Sequence, residues 1–404
     1  MSKHDPVRDP VILSAARTPV GRFLGALRDV PAPRLGAVAI SAAVERAGIA
    51  ERAEEIGEVL MGNVVSAGLG QAPARQAAIY AGLPPTVGAT TLNKVCGSGL
   101  KACMLAAQSI RAGDGSLFVA GGMENMSRAP HLIHARGGDL RYGHDELTDA
   151  LLHDGLWDPF VEWAMGSAAE WIAEEFEVTR EAMDRYALRS HQRAVQAEEE
   201  GVFEQERVPV PISNSGSSSI AVEQDETPRP DTSLEKLAAL KPAFHEDGRV
   251  TAGNAPGLND GAAALVISSR SQAEAVGATP LARIVGYNQV AVPPREMFTA
   301  PALVIPKLLN QLDWELDEVD LLEVNEAFAA QILANGYALS DQGWDWDKVN
   351  VHGGAIALGH PLGASGAKIL TTLIYALKRH GGQRGMASLC LGGGEAVALA
   401  VEIE

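Results

Sequence analysis

The sequence predicts an α/β protein of two similar βαβ halves, with a further segment inserted between them. Apolar runs alternate with amphipathic stretches through most of the 404 residues, which is typical of βαβ units and a largely parallel sheet. The chain also matches itself: Ser98-Gly99 corresponds to Ser365-Gly366, and Gly121-Gly122 corresponds to Gly392-Gly393, at offsets that agree within a few residues. These matches indicate a duplication; a chance match between Gly-rich segments is the alternative.

Strands and helices alternate in the same order in both halves. In the first half we predict strands at 11–16, 58–62 and 118–122, and helices at 33–48 and 97–112. The second of these helices opens with Gly-Ser-Gly and stops at Gly113, in agreement with the usual start and stop signals. In the second half we predict strands at 281–290, 319–326, 387–394 and 396–403, and helices at 301–312 and 364–380.

The composition changes between the halves, where we predict an inserted segment carried on the first half. It contains a long charged helical pattern at 173–200 and a Ser/Pro-rich exposed loop at 211–231. A plain linker domain without function is the alternative. The predicted domains are the first half, the insertion, a return to the first half, and the second half, at 1–122, 123–255, 256–279 and 280–404.

The charge and cysteine content exclude several classes of protein. The 33 basic and 51 acidic residues give a net charge of −18 and a pI near 5.0, so nucleic-acid binding is not expected. Three cysteines cannot form a disulfide framework and favour a reducing compartment, the cytoplasm. We find no secretory signal at the N-terminus and no apolar run of about 18 residues, so no membrane span is expected.

The glycine-rich segments do not predict a nucleotide site or a metal site. No G-x-G-x-x-G follows the first strand, and no Walker pattern occurs. Neither C-x-x-C nor H-E-x-x-H spacing is present, so no metal is expected.

Cys96 is the strongest candidate for chemistry, because it lies where an apolar run meets the start of the helix at 97–112. A helix N-terminus carries partial positive charge and unpaired N–H groups, so we expect it to lower the pKa of the thiol. The small residues that follow let a substrate approach, as at the nucleophile elbow of hydrolases. The alternative is an inert core cysteine.

Three other residues are candidates for the same site. By the repeat, His360 corresponds to Cys96, and a Cys–His pair within hydrogen-bond reach activates a thiol. Cys390 ends an apolar strand, where open α/β sheets place their sites, but it is equally compatible with a structural role. Asn325 ends another apolar run; its amide would orient a water or polarise a carbonyl, or else cap a helix. We expect Cys103 to pack in the core.

Eight segments together resemble the thiolase family, almost from end to end of the chain. They are RTPVGRFLGAL (17–27), GQAPARQAA (70–78), NKVCGSGLKA (93–102), GGMENMS (121–127), TAGNAPGLNDGAAA (251–264), NEAFA (325–329), GGAIALGHPLGASGA (353–367) and CLGGG (390–394). The resemblance implies that the two halves form a five-layered αβαβα core, with an inserted loop domain that covers coenzyme A. It also implies a homotetramer, or at least a homodimer.

The resemblance implies a role for each matching catalytic residue. Cys96 resembles the acylated nucleophile, His360 its activating base, and Cys390 the acid/base that exchanges a proton with the acetyl methyl. His360 and Asn325, the latter through a water, resemble one oxyanion hole. The backbone N–H groups of Cys96 and Gly392 resemble the second.

Coenzyme A contacts are implied by weaker matches. Met165 and Met297 match apolar pocket positions, and Arg229 matches a position near the nucleotide phosphates. Three positions depart from the family: Ala164 and Pro256 replace a His and a Ser, and Glu395 stands where Met is usual. These departures affect the expected coenzyme contacts and acyl chain length.

The implied activity is a reversible acetyl transfer between two acetyl-CoA molecules, which gives acetoacetyl-CoA and coenzyme A, with no prosthetic group. A degradative 3-ketoacyl-CoA thiolase for longer chains is the nearest alternative. A ketoacyl synthase, a Cys–His hydrolase and a non-catalytic scaffold are the others.

Overall fold

The computed structural model describes residues 6–133, 144, 146–213 and 219–404. Ten strands form the main sheet. Nine of them lie along one path: β1 (Pro10–Arg17), β2 (Glu58–Gly62), β3 (Gly88–Leu92), β4 (Leu117–Asn125), β5 (Asn259–Ser269), β6 (Ala282–Ala291), β7 (Leu321–Val324), β8 (Arg384–Leu391) and β9 (Glu395–Ile403). The tenth, Gly21–Arg22, is short and pairs with β5. The longer helices are α1 (Ala32–Arg46), α2 (Pro73–Tyr80), α3 (Ser98–Ala112), α4 (Met165–Glu175), α5 (Arg180–Glu199), α6 (Pro301–Leu312), α7 (Ala329–Ala338) and α8 (Leu362–His380). Shorter helices span Leu234–Ala238, Arg270–Val276 and Ala355–Leu358.

Strand order repeats in the two halves, which confirms the predicted α/β fold of duplicated units. The first half is ordered β3-β2-β4-β5-β1, and the second half β7-β8-β9-β6. In both halves the first listed pairs are parallel and the last two are antiparallel. The expectation of a largely parallel sheet is therefore wrong, because most of the strand pairs are antiparallel. A parallel bridge from Leu322 to Val349 occupies the place of β3 in the second half. The halves join where Val11 and Ile12 of β1 pair with β6.

Three hydrophobic clusters separate the helices into layers on the two halves of the main sheet, which are called the first-half sheet and the second-half sheet below. One cluster packs α1 and α2 on the outer face of the first-half sheet. A second places α3 and α8 between the two sheets, with Leu100 and Leu370 both fully buried. A third packs α6 and α7 on the outer face of the second-half sheet. This arrangement is the αβαβα order, because each sheet has one apolar face toward the shared helices and one toward its own outer helices.

The inserted segment differs in detail from the sequence-based expectation. The charged pattern at 173–200 is divided between α4 and α5, because Glu177 takes a left-handed conformation and Thr179 accepts a hydrogen bond from Ala182 N to begin α5. The stretch at 211–231 is not simply an exposed loop. It contributes to the strand pair Val210–Ser213 and Ser219–Val222, and it buries Asp225 at 2.8 Å from Arg17.

Among the described helices, none combines the length and apolar character that a membrane crossing requires.

Candidate active site

Cys96 lies on a tight turn between β3 and α3. The residue before it, Val95, has a φ of 46°, which a β-branched side chain rarely adopts. Ser98 stabilises this turn, because its hydroxyl accepts from Lys94 N at 2.8 Å and donates to Val95 O at 2.7 Å. The turn places the Cys96 sulfur beside the first turn of α3, as the sequence predicts.

His360 is held by two hydrogen bonds at the start of α8. Its backbone N–H donates to Asn259 Oδ1 at 2.8 Å, and its Nδ1 lies 2.6 Å from Ser365 Oγ. The Ser365 hydroxyl donates to Pro361 O at 2.9 Å, so we assign the proton of the ring to Nδ1, which donates to Ser365. Nε2 is then unprotonated and can act as a base, with the Asn325 amide 3.4 Å away.

Cys390 belongs to the hairpin formed by β8 and β9. Cys390 is 2% exposed and pairs with Ala396 across the hairpin. Gly393 and Gly394 close the turn with φ values of 85° and 86°, which only glycine adopts readily. The turn therefore presents the backbone N–H of Gly392 just beyond Cys390.

One cavity of about 280 Å³ brings together four of the five predicted catalytic residues, and the fifth, Asn325, does not line it. Cys96, His360, Cys390 and Gly392 all line it. The remaining lining is almost entirely apolar: Met126, Leu152, Gly155, Leu156, Ala164, Met165, Gly166, Ala243, Phe244, Thr251, Ala252, Ala255, Pro256, Gly257, Leu258, Phe298, Ala327, Phe328, Leu362 and Leu391. Two thiols and an imidazole thus face one predominantly apolar space.

Burial determines the protonation of the two thiols. It raises the pKa of Cys96 to about 12, although N–H groups of Gly392 and of Cys96 itself act to lower it. The expectation that the helix N-terminus would lower this pKa overall is therefore wrong, because the loss of hydration outweighs the two amides. Burial also raises the pKa of Cys390 well above its usual value, and Cys96 acts in the same direction.

His360 is neutral at physiological pH. Burial lowers its pKa to about 3, and the positive charge of Lys368 acts in the same direction. In the resting protein the site therefore holds two neutral thiols and a neutral imidazole. Proton transfer from a thiol to Nε2 then has to accompany attack on a substrate, since a free thiolate is not stabilised beforehand.

Asn325 lies beside His360 and not at a helix end. Its Nδ2 is 3.4 Å from His360 Nε2, and its backbone N–H donates to Ser388 O at 2.9 Å. Helix α7 begins only at Ala329, so the alternative of a helix cap is wrong. Among the described residues, none forms a hydrogen bond with the buried Asn325 Oδ1. This oxygen is suited to hold a water or a substrate group.

The three predicted coenzyme contacts differ in position. Met165 lines the cavity, together with the two departures from the family pattern, Ala164 and Pro256. Met297 does not: it is fully buried in the core beneath Phe298. Arg229 lines a separate small cleft with His191, whose Nδ1 accepts from Arg229 N at 3.2 Å.

Sequence reasoning missed Glu124 and Ser365, which support the site from behind. Glu124 is fully buried and accepts from Val64 N at 3.0 Å and from Gly363 N at 2.9 Å, so it joins the first half to the start of α8. Burial raises its pKa to about 7. An acidic residue at the end of the apolar run 117–123 is the signal that identifies it.

Among the described residues, no group of three or more His, Cys, Asp or Glu side chains could hold a metal ion.

Known proteins resemble this chain over nearly its full length. The family model described as Thiolase, N-terminal domain matches residues 10–271, and Thiolase, C-terminal domain matches residues 278–403. The acetyl-CoA acetyltransferase of Cupriavidus necator is 51% identical over 394 residues, which cover 98% of this chain and 99% of the relative. Acetyl-CoA acetyltransferase 2 of Arabidopsis thaliana is 50% identical over 399 residues, which cover 98% of this chain and 97% of the relative. The crystal structure of the Bacillus anthracis acetyl-CoA acetyltransferase superposes with a TM-score of 0.94 at 44% identity, covering 98% of this chain and 99% of that chain.

Proposed function

The chain belongs to the thiolase family, and on that premise we propose that it is an acetyl-CoA C-acetyltransferase. The reaction is the reversible condensation of two acetyl-CoA molecules to acetoacetyl-CoA and coenzyme A. The observation that carries this proposal is the convergence of Cys96, His360 and Cys390 on one apolar cavity. A carbon–carbon bond between two thioesters requires an acyl carrier, a base for an α-proton and donors for two oxyanions, and these residues supply them.

The first half-reaction transfers an acetyl group to Cys96. As the sulfur attacks the acetyl-CoA carbonyl, its proton moves to His360 Nε2, which the Nδ1–Ser365 hydrogen bond leaves unprotonated. The tetrahedral intermediate then expels the coenzyme A thiolate, and the Cys390 thiol protonates this leaving group. The products are acetyl-Cys96, free coenzyme A, a Cys390 thiolate and a protonated His360.

The second half-reaction forms the new carbon–carbon bond. The Cys390 thiolate removes a proton from the methyl of a second acetyl-CoA, and the resulting enolate attacks the carbonyl of acetyl-Cys96. When acetoacetyl-CoA departs, Cys96 leaves as a thiolate and recovers its proton from His360. All three groups return to the neutral state that burial favours at rest.

Two sets of donors stabilise the developing negative charges. The N–H groups of Cys96 and Gly392, which are directed at the Cys96 sulfur, stabilise the tetrahedral intermediates. His360 and Asn325, the latter through a water, stabilise the enolate oxygen. One such donor contributes roughly 2.7–4 kcal/mol and a positioned base about 10²–10⁴-fold, so these groups account for a large part of the rate.

The inserted segment 123–255 covers coenzyme A in this proposal. It lines the cavity with Met165, Gly166 and Phe244, which suit the methylene groups of the pantetheine arm. Met297 supports this wall from the core, and Arg229 approaches the nucleotide phosphates from its separate cleft.

We also propose a homotetramer or homodimer in the cytoplasm, acting in lipid metabolism. Strand β3 is the last strand of the sheet and is partly exposed, so it offers an edge for a second copy. The three cysteines are unpaired, which fits a reducing compartment.

Thiolysis of acetoacetyl-CoA by coenzyme A tests the proposal. We expect activity in the wild type, none in Cys96→Ser, and near-normal activity in Cys103→Ala, because Cys103 is buried in α3 away from the cavity. Equal activity in Cys96→Ser and the wild type would contradict the proposal.

A degradative 3-ketoacyl-CoA thiolase uses the same catalytic residues and is the second candidate. The names of the relatives favour the short-chain reaction. Thiolysis rates for acetoacetyl-CoA and for long-chain 3-ketoacyl-CoA separate the two, and equal or faster turnover of the long chains would select the degradative reaction.

A further inference from the structure

The turn that carries Cys96 contacts the hairpin that carries Cys390 at three consecutive points. Nearest α3, Gly97 packs so closely on Leu391 that any side chain at position 97 would collide with it. In the middle, Val95 lies against Gly392, where a Cβ would stand 3.3 Å from Val95 Cγ1. At the outer end, Lys94 Nζ forms an ion pair with Glu395 Oε2 at 2.6 Å. The first two contacts are apolar, and the third is ionic.

We propose that Lys94 and Glu395 are positioning residues that set the spacing between the backbone N–H groups of Cys96 and Gly392. This inference rests on the proposed function, since it assigns to the pair the alignment of an oxyanion hole. The two amides belong to different halves of the chain, so their spacing depends on contacts between the halves.

The turn at Cys96 needs such a support because it is strained. A non-glycine residue at positive φ is strained and persists only where its surroundings hold it. Val95 N donates to Asn93 Oδ1 at 2.9 Å, and Ser98 binds both sides of the turn, but these bonds are all within the first half. The Lys94–Glu395 ion pair is a side-chain contact that ties the turn to the opposite half, beside the Gly392 N–H that faces the Cys96 sulfur.

Glu395 is a firm anchor for this purpose. It is the first residue of β9 and pairs with Leu391 on one side and Ala291 on the other. The backbone position from which its side chain extends is therefore fixed, only three residues beyond Gly392. Lys94 in turn lies two residues before Cys96, so a shift of the ammonium moves the nucleophile directly.

The exposure of the pair argues for a role in geometry over a role in stability. The side chains of Lys94 and Glu395 are 19% and 34% exposed. Ion pairs that are open to solvent contribute little to folding. Removing one partner should therefore leave a folded protein whose two amides are less well aligned, and misplaced catalytic groups lower the rate of the chemical step.

The test compares Glu395→Gln, Lys94→Gln, the double Gln variant and the reversed pair Lys94→Glu with Glu395→Lys. We expect each single variant to lose about tenfold in kcat with little change in KM, and the double variant to lose no more than either single. The reversed pair should recover to within about threefold of the wild type. Lys101 lies in the field of both Lys94 and Glu395, so the two single variants are compared with the double variant and the reversed pair.

Glu402→Gln is the matched control. Glu402 is on the same strand, β9, forms an ion pair with Arg283 at 2.5 Å, and is 27% exposed, but it lies at the end far from the cavity. Its kcat should equal that of the wild type.

Alkylation of Cys96 by iodoacetamide gives a second readout that needs no acyl-CoA. The Gly392 N–H favours the thiolate, so the single variants should react more slowly than the wild type and Glu402→Gln at the same pH. If the wild type shows no thiolysis, the proposed function is refuted but the role of the ion pair is not, because the alkylation rates still report the spacing of the two amides. Unchanged kcat and alkylation in the single variants, or no recovery in the reversed pair, would overturn the role of the ion pair.

Discussion

Replacing Ser365 by alanine tests how the protein makes His360 a base. In the wild type, Ser365 Oγ lies 2.6 Å from His360 Nδ1 and donates its own proton to Pro361 O. Pro361 O also accepts from the backbone N–H groups of Ala364 and Ser365, so it stays satisfied in the variant. The change therefore leaves chiefly one buried group, the Nδ1–H, without its partner.

The magnitude follows from that single lost partner. An unsatisfied buried donor costs about 1–3 kcal/mol, and this is the energy that favours the Nδ1–H tautomer over the Nε2–H tautomer. Because 1.4 kcal/mol is a factor of ten, the population of the reactive tautomer should fall by roughly five- to 150-fold. We expect kcat for acetoacetyl-CoA thiolysis to fall by about 10- to 100-fold with KM nearly unchanged.

Thr371→Val is the matched control for Ser365→Ala. Thr371 is on the same helix, α8, is fully buried, and donates to Ala367 O at 2.9 Å, which is the same bond to the residue four positions earlier. Both variants should lose unfolding free energy in urea, and Ser365→Ala should lose more because it also removes the partner of Nδ1; only Ser365→Ala should lose kcat. Equal kcat in Ser365→Ala and the wild type would refute the tautomer assignment.

Three further predictions concern pKa values and packing. Because burial raises the pKa of Cys96 to about 12, its rate of alkylation by iodoacetamide should keep rising from about pH 8 to pH 10, and a plateau near pH 8 would contradict this. Burial lowers the pKa of His352 to about 4 from an ordinary 6.5, so between these values the unfolded chain binds a proton that the folded chain does not, and the free energy of unfolding falls as the pH drops from 6.5 to 4. In urea titrations at pH 7 and pH 4.5, His352→Gln should remove up to about 3 kcal/mol of that fall. An unchanged fall in His352→Gln would refute the prediction. In Gly122→Ala the new Cβ would collide with the backbone of Gly363, so we expect the free energy of unfolding to fall by about 3 kcal/mol or more. In Gly57→Ala the nearest atom to the new Cβ is 3.5 Å away, so the free energy of unfolding should fall far less. Similar melting temperatures for the two variants would contradict this packing.

The strands and helices were largely predictable because their signals are local. The predicted strand at 58–62 coincides with β2, and the helices predicted at 33–48 and 97–112 match α1 and α3 within two residues. Apolar periodicity and Gly stop signals depend only on neighbouring residues. The duplication was predictable for the same reason, since both halves keep the small residues that let α3 and α8 pack between the sheets.

Long-range burial was not predictable in this way. The helix N-terminus at Cys96 suggests a lowered pKa, but the net direction depends on how much water the rest of the fold removes, which comes from both halves and the insertion. The role of Glu124 depends likewise on Gly363, which lies 239 positions away in sequence. The Lys94–Glu395 pair spans 301 positions, and no local pattern connects its members.

In the proposed mechanism, Cys96 carries the acetyl group and Cys390 moves the methyl proton. The most direct test is the mass of the peptide that contains Cys96, measured after mixing acetyl-CoA with the wild type and with Cys390→Ala, together with the yield of acetoacetyl-CoA. We expect acetyl-Cys96 to be detected in Cys390→Ala and acetoacetyl-CoA to form only in the wild type. Condensation by Cys390→Ala at the wild-type rate, or acetyl groups on another residue in place of Cys96, would contradict the account.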